Sequence, residues 1–415
     1  MDYLLTEREE QLLGWVGELA DRFAERAGQH DRENTFPHEN FRDMREAGFM
    51  RLTVPEELGG GGASLRELML AQERLAMGCP STSLAVVMHT GPIAGMADLW
   101  RNDPQPAVEA ILRRVAEDEV IWAALTAERG GGSNLITDSG VEARRVDGGF
   151  RVNGGKIFCT NTEACTHFSF TARYEDPERG PLVIQCQTAK DADGIEFVQT
   201  WDTLGMRGTQ SNDLEIRDLF VADENVIHSF PAGHLDPIVV RTGLAFAMAL
   251  FGIIYLGVAG GAMDWARDYT IERGMDADPE TVHLFAEMEV LRETGRAMVW
   301  QLASEIEAGG LWRRGVQEAL ASGVVAKYVA ANNAVAILDR VMDTVGGVGF
   351  HRRFPIERIY RDVRAATIMP VNNRDAHSLL GKTALGGQFM PIGPERGAEA
   401  PRPPKRPDPR AQNAY

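Results

Sequence analysis

Asp202-Thr203-Leu204-Gly205-Met206-Arg207-Gly208-Thr209-Gln210-Ser211 is the stretch on which the fold turns. It is a glycine-punctuated turn with a lone arginine. Trp201 stands before it, and the alternating run Leu214–Val221 follows. Working outward, the period-two pattern extends from about Val120 to Val226. Val141–Val146, the turn Asp147-Gly148-Gly149 and Phe150–Val152 predict a hairpin. Phe168–Tyr174, Leu182–Gln187, Ile195–Thr200 and Asp213–Val221 predict further short strands. The centre of the chain therefore reads as a compact β domain.

Both flanks read as helical. Thr6 and Glu9 have the spacing of a capping box, and Leu12, Leu13, Val16, Leu19 and Phe23 follow at helical intervals. Phe36-Pro37 opens a short helix, and Gly59–Gly62 is a loop before another helix from Ser64 to Met77. From Asp236 to about Leu385 long helical segments with short breaks suit an antiparallel bundle. Gly243–Met263 has no charged residue and is long enough to cross a bilayer. It is Gly- and Ala-rich and lacks basic flanks, so it reads as the buried helix at the centre of the bundle. The divisions expected are 1–120, 121–230 and 231–386, with a Pro- and Arg-rich tail, 387–415, expected to be disordered.

The chain has 415 residues and a formal net charge of −17, which argues against nucleic acid as a partner. Its four cysteines, Cys79, Cys159, Cys165 and Cys186, show no metal-site spacing and suit a reducing, cytoplasmic setting. No basic n-region opens the sequence, and no metal is expected.

Three segments taken together carry a resemblance. Ala124-Leu125-Thr126-Ala127-Glu128-Arg129-Gly130-Gly131-Gly132-Ser133-Asn134, Lys156-Ile157-Phe158-Cys159-Thr160-Asn161 and the Gly205-Met206-Arg207 turn resemble the flavin- and substrate-binding loops of the acyl-CoA dehydrogenase superfamily. Gly346-Gly347-Val348-Gly349-Phe350 followed by Pro355–Asp362 is similar to its C-terminal Gly-Gly-x-Gly-Tyr…Glu-Arg-x-x-Arg-Asp segment. The resemblance spans roughly residues 5–385. It implies a mainly α fold with a central β-barrel-like domain between a helical N-terminal domain and a C-terminal four-helix bundle. It also implies FAD, with FMN or transiently bound reduced flavin as the alternative, in a homodimer or homotetramer that does not enter a membrane.

Residue by residue, the resemblance places Leu125, Ala127, Gly132, Ser133, Phe158, Thr160, Gly346 and Gly347 at the cofactor, and Ser133, Arg207 and Arg241 at the substrate. A Gly-rich loop lets backbone N–H groups approach a pyrophosphate. The bland readings are a surface turn for that loop, a core strand for Phe158–Thr160 and a surface salt bridge for Arg207.

Three departures bear on chemistry. Ala127 replaces a threonine, and Arg273-Gly274-Met275-Asp276 lacks the family's Phe-Gly after the arginine. The third is the base. Desaturating an acyl thioester needs a group that removes the α-proton while hydride leaves for flavin N5. Pro370 stands where the family carries that glutamate, and Val240 occupies the alternative position beside Arg241. Asp375, Asp236, His377 and His89 are the remaining candidates, each with a capping, solvated or core reading beside the catalytic one.

The first functional expectation is thus a flavin-dependent oxidoreductase acting on the CH–CH bond of an acyl thioester through a relocated base, with an electron-transfer flavoprotein as partner. The second is a monooxygenase served by a flavin reductase. There O2 adds at flavin C4a and the hydroperoxide hydroxylates a C, N or S centre, as in superfamily members without the glutamate. Asn372–Leu379 loosely resembles a segment of its sulfur-heterocycle monooxygenases. The third is a homologue without catalysis.

Overall fold

The computed structural model describes residues 5–117, 119–130 and 136–392. The chain opens with α1 (Glu7–Glu33), started by the expected capping box. Glu9 N donates to the Thr6 hydroxyl at 3.2 Å and Thr6 N to Glu9 Oε2 at 2.8 Å. Leu12, Val16, Leu19 and Phe23 form its buried stripe. Four helices complete the N-terminal part, α2 (His38–Glu46), α3 (Leu65–Gly78), α4 (Pro80–Asn102) and α5 (Pro106–Ala116).

The central domain is one eight-stranded sheet of β1 (Trp122–Leu125), β2 (Glu142–Val146), β3 (Gly149–Lys156), β4 (His167–Asp176), β5 (Gly180–Ala189), β6 (Ile195–Val198), β7 (Asp213–Ala222) and β8 (Val226–Pro231). The strand order is β6-β7-β3-β2-β4-β5-β8, with β1 parallel beside β4. The predicted hairpin is β2–β3, turning at Gly148 with φ +71°. Its core, including Phe150, Phe168, Phe170, Leu214 and Ile216, is separate from that of the helices.

The C-terminal part is α6 (Pro237–Val239), a π-turn at Val240–Leu244, α7 (Ala245–Glu272), α8 (Pro279–Glu307), α9 (Val316–Val345), α10 (Pro355–Val363) and α11 (Asn373–Ala384). The uncharged segment runs from the π-turn into α7, and 83% of the most apolar window of the continuous helix Pro237–Glu272 is buried inside the protein. A second apolar helix, Val316–Phe350, also meets the length and hydropathy expected of a span. The glycines of α7 have a packing reason. A Cβ at Gly257 would lie 2.4 Å from Glu73 O of α3, so only glycine lets the two backbones approach this closely.

The tail differs from expectation at its start. Gln317 donates to Gly387 O and accepts from Phe389 N, each at 2.9 Å, while Leu235 N donates to Pro391 O at 2.7 Å. Satisfied backbone groups hold 387–392 between bundle and sheet, where composition alone predicted disorder; 393–415 lie outside the described residues.

Candidate flavin site

β3 ends at Lys156, and the chain then turns sharply through Phe158 at φ +52° and Asn161 at φ +73°. Residues with side chains rarely adopt such values, and the surroundings enforce them here. Cys159 N donates to Asn212 O at 3.0 Å, and the buried Asn161 amide to Trp122 O at 2.8 Å. The turn lifts the Phe158 ring off the sheet to 57% exposure, packed edge-on against Trp201 with centroids 5.8 Å apart. Beside it runs a row of hydroxyls. Thr160 Oγ1 lies 2.8 Å from Ser211 Oγ, which lies 2.8 Å from Thr209 Oγ1, and Thr209 donates to Met206 O at 2.9 Å. Trp201, Thr209 and Ser211 were not placed at the cofactor from sequence, although all three lie in or beside the quoted turn.

Leu125 closes β1 with its side chain in the sheet core, so toward a ligand it offers backbone only. Ala127 O accepts from Ile157 N at 2.9 Å, which ties the loop after β1 to the Phe158 turn. Glu128 anchors the same loop from below. It accepts from Ser139 Oγ at 2.6 Å and Gly140 N at 2.5 Å, and pairs with the buried ammonium of Lys156. Burial pulls the Lys156 pKa down, and Glu128 opposes that pull. Gly132 and Ser133 lie outside the described residues.

The Gly205–Arg207 turn couples sheet to bundle. Met206 N donates to Asp362 Oδ1 of α10 at 2.6 Å, and a Cβ on Gly205 would fall 2.3 Å from Arg361 O. Burial raises the Asp362 carboxyl to about 6, against the opposing charge of Arg358. Arg207 faces α1 rather than standing free for a substrate. Its Nε donates to Asp31 O at 2.9 Å, and its Nη1 to Asp202 and to Thr203 O at 2.8 and 3.0 Å. Sequence placed this arginine at the substrate; the structure makes it a latch between turn and helix. Arg241, in the π-turn, makes no hydrogen bond among the described residues. Its guanidinium lies 3.6 Å from Asp98 of α4 and over the Trp312 ring at 5.7 Å.

Each candidate base has a hydrogen-bond partner in the fold. Both His89 ring nitrogens are taken. Trp122 N donates to Nδ1 at 2.9 Å, which leaves the proton on Nε2 to donate to Met50 O at 2.7 Å. Asn372 caps α11 by accepting from Asp375 N at 3.0 Å, and its amide donates to the Asp375 carboxylate at 3.0 Å; Asp236 accepts from Ile238 N and Val239 N as the cap of α6. His377 Nε2 bonds the Tyr328 hydroxyl at 2.9 Å. The Pro370 segment is held from beneath by Lys327 of α9. Its buried ammonium donates to Ala366 O, Met369 O and Val371 O at 2.7, 2.8 and 3.0 Å. Sequence reasoning missed Lys327, a single polar residue within an apolar helical run. Gly346, at φ +58°, and Gly347 face open space beside Phe350, which is 82% exposed.

Comparison with known proteins agrees with this geometry. Residues 6–106, 123–219 and 238–370 match the N-terminal, middle and C-terminal domains of acyl-CoA dehydrogenases. A putative acyl-CoA dehydrogenase, YdbM of Bacillus subtilis, is 30% identical over 89% of this chain and 95% of its own length. The amino sugar nitrososynthase DnmZ of Streptomyces peucetius is 28% identical over 86% of this chain and 88% of its own. The solved structure of KijD3 in complex with FMN and a dTDP-linked amino keto sugar superposes with a TM-score of 0.83 at 25% identity, covering 92% of this chain and 95% of that one. This chain belongs to the acyl-CoA dehydrogenase family and is a flavin-dependent oxidoreductase. Its own residues fit the cofactor: an exposed aromatic ring, held out from the sheet and rimmed by hydroxyls, is a shelf for a planar, hydrogen-bonding ring system.

Proposed function

We propose that this protein is a reduced-flavin-dependent monooxygenase rather than an acyl-thioester desaturase. One observation carries the reading. Neither position from which the family's base acts holds a carboxylate, being Pro370 and Val240; of the neighbouring carboxylates, Asp375 is bound by the Asn372 amide and Asp236 is committed to the cap of α6. Without a base across the substrate, α-proton abstraction has no acceptor. Likeness to DnmZ and KijD3, whose names and bound ligands concern amino sugars and FMN, supports the same direction.

Reduced flavin, when bound, supplies activation of O2 for transfer of one oxygen atom to an electron-rich centre. The chain's own part is to bind, orient and keep dry. Phe158 would back the ring system, and Thr160 with Ser211 would offer it hydrogen bonds. Met369-Pro370-Val371, fixed by Lys327, presents a segment that brings no titratable group to the site. The half-buried Arg241 guanidinium is available to a polar group of the substrate. Arg273 turns back over Tyr269 at 5.1 Å, away from the role the missing Phe-Gly motif would give it, which favours FMN or transiently held flavin over tightly held FAD. Exposed Ile271, Val282, Val290 and Phe350 support association with a second copy, and a separate flavin reductase is the expected electron source.

Anaerobic titration and product analysis test the reading. Reduced FMN is expected to bind at least about tenfold tighter than oxidised flavin, with labelled oxygen from O2 entering an amine- or sulfur-bearing substrate when a reductase and NAD(P)H are present. Stoichiometric oxidised FAD that survives purification and is bleached anaerobically by an acyl-CoA would overturn it.

A further inference from the structure

A cleft of about 740 Å³ lies outside the flavin shelf, between the last turns of α1, the 203–207 turn and the start of α10. It is lined by Arg32, Arg207, Arg352, Arg353, Arg358 and Arg361 against three carboxylates, in a chain whose net charge is −17. The six arginines divide into two groups. Arg361 grips Asp31 with both Nη atoms at 2.9 and 2.6 Å and also bonds Glu357. Arg207 is fixed as described, and the buried Arg358 lies 3.5 Å from Asp362. These three are neutralised and form a rigid wall. Arg32 and Arg353 have no carboxylate or hydrogen-bond partner among the described residues, and Arg353 lies over the Phe354 ring at 4.7 Å. Arg352 reaches only Glu357, at 4.0 Å, and Glu357 is already held by Arg361.

We propose that this cleft binds the diphosphate of a phosphorylated small molecule. Guanidinium forks match phosphate oxygens two at a time, and three unneutralised forks around one recess exceed what a single carboxylate would use. The volume is that of an ordinary small-ligand site. Of the three carboxylates, Asp31 and Glu357 are already paired with Arg361, so an incoming anion meets Arg32, Arg352 and Arg353 against a single remaining carboxylate, Glu25. The cleft also adjoins the flavin site, because Leu204 lines it while Met206, two residues on, closes the hydroxyl row. The inference goes beyond the monooxygenase reading and does not need it, since its test measures binding alone.

The test is calorimetric titration of the full chain with inorganic pyrophosphate and with ADP at low ionic strength. Saturable 1:1 binding is expected, weakened by added salt. Arg32→Ala/Arg353→Ala should lose at least about tenfold in affinity, while flavin binding and the unfolding midpoint stay at wild-type values. Arg353→Glu should abolish binding with the same fold retained. No saturable heat up to about 1 mM ligand, or equal affinity in the folded variants, overturns the proposal. A third outcome also sinks it: if saturating FMN abolishes pyrophosphate binding, the anion was occupying the flavin's own phosphate seat.

Discussion

Lys327→Met is the perturbation that most directly tests how the segment replacing the family's base is held. The ammonium donates to three carbonyls, those of Ala366, Met369 and Val371, and the lysine is 1% exposed. Methionine keeps most of the volume but leaves three acceptors without a donor, at about 1–3 kcal/mol for each one that water cannot reach. Removing a buried ammonium works the other way, by a few kcal/mol. Pro370 is exposed, so water can reach part of the loop, while Ala366 is buried. The net expectation is a loss of about 2–4 kcal/mol and faster amide exchange over 366–371. Denaturant unfolding and hydrogen exchange read both.

The pH dependence is a second, independent readout on the same pair. Burial lowers the Lys327 pKa from 10.5 to about 8. The folded state therefore releases the proton before the unfolded state does. The stability tied to this group is complete above 10.5 and is lost as pH falls toward 8. Wild type should thus gain up to about 3 kcal/mol on Lys327→Met across that window. Wild-type stability within about 0.5 kcal/mol, with no difference in pH slope and unchanged exchange, would refute the reasoning.

Two further substitutions separate the shelf from its foundation. Phe158→Ala should reduce flavin affinity about tenfold while changing stability by less than about 1 kcal/mol, because the ring is 57% exposed; fluorescence titration and thermal melts check the two halves. Glu128→Gln leaves the buried Lys156 ammonium without its counter-charge and should cost about 3–5 kcal/mol, read by denaturant unfolding.

The helix–sheet–helix order was legible because each part carries its own period. The stripe of α1, the alternation of β7 and the uncharged run of α7 are local patterns, and local patterns survive in a string of letters. Chemistry was legible in one respect: proline cannot serve as a base, wherever Pro370 lies. What the side chains do was settled by contacts between distant residues. Nothing near Arg207 in sequence shows that Asp31 will engage it, and the core reading of His89 could not name its partners, Met50 and Trp122, which lie 39 and 33 positions away. Lys327 lies 39 to 44 positions from the carbonyls it holds. The sequence by itself determined the elements and their family, because periodicity and turn chemistry act over a few residues. Only the tertiary structure decided which polar groups are latches, caps or free, because burial and partnership depend on how the chain returns on itself.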